Sequence, residues 1–301
     1  MICLINFILM NFFDDYGVIL DVIRYDVKRY LSKHGLKSVV LGMSGGIDSA
    51  LVAAIIKPVC DELNIPLIGR SITIVSNKND EIDRSIKTGN VFCSDFNHIN
   101  IMKPVYDILL KNINIGNEKF NTDDYSTKIR DGNVKARLRM ITLYNLASLS
   151  GGIVMGTDNL TEHYLGFFTI GGDEVSDFEP IKYLWKTEVY NLAEWMISND
   201  LKTKNEKEAL QECIDANATD GLGISNTDLD QILPDWRDRH SNTRSGYKEV
   251  DLTFIEYFEK SDKDMEKHPV IQRYLRSDFK RKRPISISRD KFISIKRDYF
   301  I

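Results

Sequence analysis

Four cysteines in 301 residues leave no disulfide framework or metal knuckle to read. Cys3, Cys60, Cys93 and Cys213 lie 57, 33 and 120 residues apart, with no CxxC pair and no histidine at zinc-ligand spacing. This usage fits unpaired thiols in a reducing compartment. Proline is scarce at 7, and the 18 glycines follow no period, which excludes collagen-like and proline-rich chains. Neither sign of charge dominates, because 40 Lys+Arg oppose 44 Asp+Glu. A strongly basic nucleic-acid binder and a charged disordered polymer are both excluded on that balance. No stretch reaches the roughly 18 apolar residues of a membrane span. The nearest, residues 1–13 (MICLINFILMNFF), lacks a basic flank and a small-residue cleavage site. It reads as an apolar N-terminal arm, or as an extended start ahead of Met10.

With 43% apolar residues, the chain can bury a sizeable core without staples. Apolar residues at helical spacing predict a helix over 14–34 ending at Gly35. The run 38–43 (SVVLGM) predicts a strand covered on both faces. Residues 49–56 predict a buried helix that Pro58 kinks or ends. Strand 66–75, helix 79–92, strand 98–102, helix 133–148 and strand 152–156 continue the alternation. The fold class is therefore α/β, an open Rossmann-like parallel sheet flanked by helices. Beyond Thr187 the chain turns mostly helical, with candidates at 188–197, 227–233, 251–259 and 266–275. Residues 200–226 are polar and short of periodicity, and read mostly as a surface loop. From Arg273 to Arg297, ten Lys/Arg face two Asp, either a solvated tail or a partly functional lid.

Residues 42–49 read GMSGGIDS, after a strand and before a helix. Adjacent glycines allow a tight turn with inward N–H groups, and the helix that follows presents free N–H groups and a positive dipole end. The loop is an anion cradle, and Ser44 and Ser49 add hydroxyls. No GxxxxGK[ST] is present, so it is not a Walker loop. A carboxylate inside a phosphate loop repels phosphate unless a cation intervenes, so Asp48 implies Mg²⁺. A Gly-Gly turn with a Ser or Asp helix cap is the plain structural alternative.

The loop resembles that of the ATP pyrophosphatase superfamily, whose members split ATP between its α- and β-phosphates. Downstream segments resemble NAD synthetase: 132–140 (GNVKARLRM), 156–162 (GTDNLTE), 166–177 (GFFTIGGDEVSD), 180–186 (PIKYLWK) and 280–284 (KRKRP), in family order. The resemblance implies an adenine nucleotide alpha-hydrolase-like fold in a single domain over 14–284, with a basic tail over 285–301. It implies a homodimeric cytoplasmic ligase that amidates nicotinic acid adenine dinucleotide (deamido-NAD) with ammonia through an acyl-adenylate, using ATP and Mg²⁺. Gly42, Met43, Ser44, Gly45, Gly46, Ile47, Asp48, Ser49, Thr157, Lys186 and Thr219 are expected on ATP. Asn133, Arg137, Asp177, Phe279 and Lys280 are expected on the dinucleotide. Asp48 and Glu162 are expected on Mg²⁺, and Asp48 and Lys186 are the expected catalytic pair. Glu162 follows a strand at the carboxyl edge of the sheet, where ligands of open α/β folds bind; a helix cap or a surface carboxylate is its alternative role.

Three positions depart from the family pattern. Ile170 stands where the family carries a lysine, Phe279 where a histidine is frequent, and Trp185 where a smaller residue is common. Only about 35 residues precede the first predicted strand, and Cys3 is in no glutaminase context, so free or delivered ammonia is the expected nitrogen source. No nucleic-acid or membrane partner is expected. A tRNA-modifying relative and a non-catalytic nucleotide-binding relative are the alternatives.

Overall fold

The computed structural model describes residues 11–75, 77–100, 102–111, 124–219, 222–260, 262–282, 284 and 286–289. Most of the apolar arm and most of the basic tail lie outside the described residues. Helix α1 (Tyr16–His34) begins where the Asp15 carboxylate accepts the Val18 N–H at 3.0 Å, and it stops at Gly35, whose φ of 60° turns the chain. Then come β1 (Val39–Gly42), α2 (Ile47–Leu63), β2 (Leu67–Ile72), α3 (Asn79–Phe92), β3 (Asp95–Ile99), α4 (Lys103–Lys111), α5 (Asp124–Ser150) and β4 (Ile153–Met155).

The strands form one parallel sheet ordered β3-β2-β1-β4, with Val39 opposite both Leu67 and Ile153. From β1 the chain winds outward to β3 and then crosses to β4 on the other side. The crevice of such a sheet opens at this reversal, between the carboxyl ends of β1 and β4. Helix α2 is apolar nearly all round, with Ala50 to Ile56 buried, because it lies in the main core beneath Val39 and Leu41.

Three expectations are corrected here. Helix α2 does not end at Pro58 but runs through it to Leu63. Ile55, Ile56, Val59 and Cys60 are buried on both sides of the proline, and their packing outweighs the missing N–H. The third strand is Asp95–Ile99 rather than 98–102, a half-exposed edge strand (DFNHI) without an apolar run to mark it. Residues 200–226 are not all loop, because 12 of these 27 residues are helical. Thr203 and Glu206 form a capping box for a helix at Lys204–Asp215, which buries Ala209, Leu210, Cys213 and Ile214.

The C-terminal part comprises α6 (Leu160–Leu165), α7 (Lys186–Asn199), α8 (Lys204–Asp215), α9 (Leu229–Ile232), α10 (Trp236–Arg239), α11 (Thr243–Lys260), α12 (Pro269–Arg276) and α13 (Asp278–Arg281). The helix expected over 266–275 is split, since Pro269 occupies the first turn of α12 and a 3₁₀ turn, Lys263–Lys267, precedes it. A second core joins these helices through Trp185, Trp236, Tyr247, Phe254 and Val270.

Phe12 packs against that second core, and the Phe13 N–H donates to Glu188 Oε1 at 2.7 Å. The Trp185 N–H donates to Glu188 Oε2 at 2.8 Å. Burial pushes the Glu188 carboxyl up to about 7, against the pull of those two N–H groups. The folded chain therefore keeps a proton that the unfolded carboxyl, near 4.5, has already lost. Stability falls as pH rises between those values, by on the order of 3 kcal/mol from this group. Glu188→Gln should flatten that part of the curve. Thermal unfolding of both chains at pH 5 and pH 7.5 checks it, and equal pH slopes would refute it.

Candidate active site

Loop 43–46 leaves β1 and enters α2 at the sheet crevice. Ser44 and Ser49 hydroxyls lie 3.0 Å apart, the Ser44 N–H donates to Ser49 Oγ at 3.2 Å, and the Gly46 N–H donates to Ser44 Oγ at 3.2 Å. Gly46 supplies no side-chain cap, so the first-turn N–H groups of this 17-residue helix remain available to an anion. Helix α3 supports the loop from behind: Ser85 Oγ donates to Met43 O at 2.7 Å and Arg84 Nε to Gly45 O at 3.1 Å. Gly45 has φ of 83°, and a Cβ there would stand 2.2 Å from Glu81 O. Gly45→Ala is expected to add about 1–2 kcal/mol of backbone strain to that clash. The variant should unfold earlier and bind ATP more weakly; wild-type values in calorimetry and ATP titration would refute this.

Three charged groups converge beside the loop. Lys186, the first residue of α7, is buried and its Nζ donates to Asp48 Oδ2 at 2.5 Å and to Glu162 Oε1 at 3.0 Å. Asn159 caps α6, its Oδ1 accepting the Glu162 N–H at 3.0 Å while its Nδ2 donates to Asp48 Oδ1 at 2.9 Å. Glu162 is thus both a capping-box residue and a partner of Lys186. Burial alone would favour neutral Lys186, but the Asp48 and Glu162 charges outweigh it and hold the ammonium well above its usual range. Burial raises the Glu162 carboxyl, Lys186 pulls it down, and Asp48 pushes it back up.

A cavity of about 380 Å³ opens over this cluster. Gly42, Met43, Ser44, Gly45, Gly46, Ile47, Asp48, Thr157, Glu162 and Lys186 line it, as do Asn133, Thr219 and Lys280. Thr219 Oγ1 donates to Glu81 Oε1 at 2.6 Å, and Asn133 Oδ1 accepts from Thr169 Oγ1 at 2.8 Å. Lys280 Nζ reaches Gly166 O at 2.5 Å and also donates to Phe168 O.

Four expected site residues lie off the cavity wall. Ser49 is buried behind the loop and shapes it. Arg137 is exposed and holds the Ile170 carbonyl through Nε at 3.1 Å and Nη2 at 3.0 Å. Asp177 accepts the Val154 N–H at 2.8 Å and the Tyr144 hydroxyl at 3.3 Å, which fixes the chain to β4. Phe279 is 57% exposed.

The cavity also holds residues absent from the sequence expectations: Arg84, Glu81, Arg139, Asp158 and Asp173. Asp158 is buried with Oδ2 unpartnered, and burial followed by repulsion from Asp173 raises its carboxyl. Arg139, Asp158 and Asp173 lie inside the 132–140, 156–162 and 166–177 segments, which could have marked them; nothing local marks Glu81 and Arg84.

No third His, Cys, Asp or Glu joins Asp48 and Glu162 in a metal-binding group among the described residues. Two hard carboxylates suit Mg²⁺, which completes its octahedron with phosphate oxygens and water rather than with a protein cage. The donor set fits that ion on those terms.

The NAD synthase family model matches residues 19–284. The NH₃-dependent NAD⁺ synthetase of Mycoplasma genitalium is 37% identical over 208 residues, covering 68% of this chain and 77% of that protein. The one from Picrophilus torridus is 30% identical over 261 residues, covering 85% and 90%. In fold, the chain is similar to the NMN synthetase of Francisella tularensis (TM-score 0.70, 23% identity, 92% of this chain and 100% of that one). It is also similar to the NH₃-dependent NAD synthetase of Campylobacter jejuni (TM-score 0.62, 23% identity, with the same coverage). With its glycine loop, its Asp48–Lys186–Glu162 cluster and a match that runs through the whole sheet and both cores, the chain belongs to the NAD synthase family.

Proposed function

We propose that the chain is an ammonia-dependent NAD synthetase that converts deamido-NAD, ATP and ammonia into NAD, AMP and pyrophosphate. The observation that carries this reading is the Asp48–Lys186–Glu162 cluster beside an uncapped glycine loop in one cavity. A carboxylate does not react with ammonia because its oxygen is a poor leaving group. The nicotinate oxygen therefore attacks the α-phosphorus of ATP, and the bond to the β-phosphate oxygen breaks. Ammonia then attacks the acyl carbon, the bond to AMP breaks, and a proton leaves the nitrogen.

The loop N–H groups and the α2 dipole hold the pyrophosphate oxygens. Lys186, kept protonated by its carboxylates, brings a fixed positive charge to the same end of the cavity. Asp48 and Glu162 would hold Mg²⁺, which when bound neutralises phosphate charge as a Lewis acid. Thr157 and Thr219 line the ATP side, and Asn133 and Lys280 the dinucleotide side. Arg137 and Asp177 act on that side through the 166–177 segment and β4.

Ammonia rather than glutamine is supported by the thiols. Burial pushes Cys60, Cys93 and Cys213 each up to about 12, so none of these three is a thiolate nucleophile. A homodimer is supported by the apolar side chains that α4 and α5 leave exposed, Val105, Ile108, Ile141 and Leu149. Cytoplasmic placement fits the free thiols of Cys60, Cys93 and Cys213.

The test is product analysis with ATP, Mg²⁺, ammonium and the acid dinucleotide. AMP, pyrophosphate and NAD should form in equal amounts. ADP as product, or AMP release independent of the dinucleotide, would overturn the reading. Nicotinic acid mononucleotide, run in parallel, should turn over more slowly; equal or faster turnover would reassign the substrate.

A further inference from the structure

Helix α7 starts at Lys186, yet the residue before it, Trp185, has no side-chain cap to offer the helix. Its leading N–H groups are instead satisfied from other helices. The Lys186 N–H donates to Thr161 Oγ1 at 2.8 Å, and the Thr187 N–H donates to Asp251 Oδ2 at 2.8 Å. Thr161 and Thr187 hydroxyls complete the set, donating to Asp251 Oδ1 at 2.5 Å and Oδ2 at 2.6 Å. Asp251 is fully buried on α11, and its carboxylate ties the first turn of α7 to α6, which carries Glu162. One turn earlier on α11, Tyr247 places its ring 5.4 Å beneath the Lys186 ammonium. The same helix therefore bears on Lys186 at its backbone, through Thr161, and at its charged end.

We propose that Asp251, with Thr161 as its relay, is a positioning residue that sets the Lys186 ammonium between Asp48 and Glu162. A carboxylate at a helix N-terminus suits the dipole, and three donors on two oxygens leave it little freedom to rotate. Asp251 touches no substrate; it acts through Lys186. This rests on the proposed function in so far as Lys186 takes part in turnover, and the experiment separates the two.

Asp251→Asn keeps the shape but removes the charge and one acceptor. It should lower kcat by about 10- to 100-fold, the usual scale for a residue that orients a reacting group, while KM for ATP moves less. In a Lys186→Ala background the same change should lower kcat less than about twofold further, because its target is gone. Thr161→Val should reproduce the loss, and Thr161→Ser, which keeps the hydroxyl, should stay within about threefold of wild type. If Asp251→Asn does not fold, the Thr161 pair decides the matter alone.

A readout independent of turnover is the ¹³Cε resonance of Lys186, assigned by its loss in Lys186→Ala. It should shift in Asp251→Asn and Thr161→Val and stay in place in Thr161→Ser. An additive cycle, a wild-type kcat in Thr161→Val, or an unmoved Lys186 resonance would overturn the proposal. A wild-type chain that makes no NAD would overturn the proposed function, with the resonance still deciding this inference.

Discussion

Asp48→Ala is expected to lower kcat for deamido-NAD amidation by about 10³-fold, while the affinity for ATP falls much less. Two losses combine. One of the two carboxylates available to Mg²⁺ disappears, and Lys186 loses the partner at 2.5 Å that keeps its ammonium beside the loop. On the proposed function both act where charge develops as pyrophosphate departs, whereas ATP in its ground state would still meet the loop N–H groups, Thr157 and Thr219. Asp48→Asn refines the result. The amide can keep a contact with Asn159, which donates to Asp48 Oδ1 at 2.9 Å, but supplies no charge. Its kcat should lie within about tenfold of the alanine variant if charge is the operative property. Steady-state kinetics with a Mg²⁺ titration checks this. Near-wild-type turnover in either variant would remove Asp48 from the chemistry.

The half of the cavity proposed for ATP was legible because its parts are contiguous in sequence. Five fixed letters (SGGxDS) between a strand and a helix define the 42–49 loop, and the reversal of strand order puts that loop opposite the 156–162 segment. The half proposed for the dinucleotide was less legible. Arg137 and Asp177 sit in family segments, yet here the first holds the Ile170 carbonyl and the second holds β4, so a motif located the segment without fixing what each side chain touches. Asp251 and Tyr247 gave no sequence signal, since on α11 they follow an ordinary helical spacing, and their partners lie 64 and 61 residues away in sequence. The helix at Lys204–Asp215 was missed for a different reason. Its apolar positions are only four in a charged stretch, and the Thr203–Glu206 spacing, a capping signal, is the one local mark of its start. Edge strand β3 failed the same way, because a half-exposed strand does not need the apolar run that marks β1.

Lys186→Met carries the second large effect, and it separates stability from chemistry. In the wild-type chain one ammonium, 2% exposed, neutralises two carboxylates whose side chains are 18% and 15% exposed. Methionine fills similar volume but leaves Asp48 and Glu162 facing each other. Removing one partner of a buried ion pair costs about 3–5 kcal/mol, and partial access to water brings the expectation here nearer the lower end. Lys186 is also what pulls the Glu162 carboxyl down against burial, so in the variant that carboxyl rises further. A carboxyl raised in the folded state favours the protonated folded form. The variant should therefore recover stability as pH falls and lose it as pH rises through the window above the unfolded value of 4.5. Mg²⁺ should restore part of the loss at neutral pH by taking the place of the missing charge, whereas kcat should stay down by about 10³-fold even where stability is recovered. Thermal unfolding at pH 5.5 and 7.5, with and without Mg²⁺, reads the first effect, and kinetics on the folded variant reads the second. A Met variant that unfolds like wild type at both pH values would show that Lys186 does not neutralise the pair. Recovery of turnover together with stability would make Lys186 a structural counter-ion with no part in the departure of pyrophosphate.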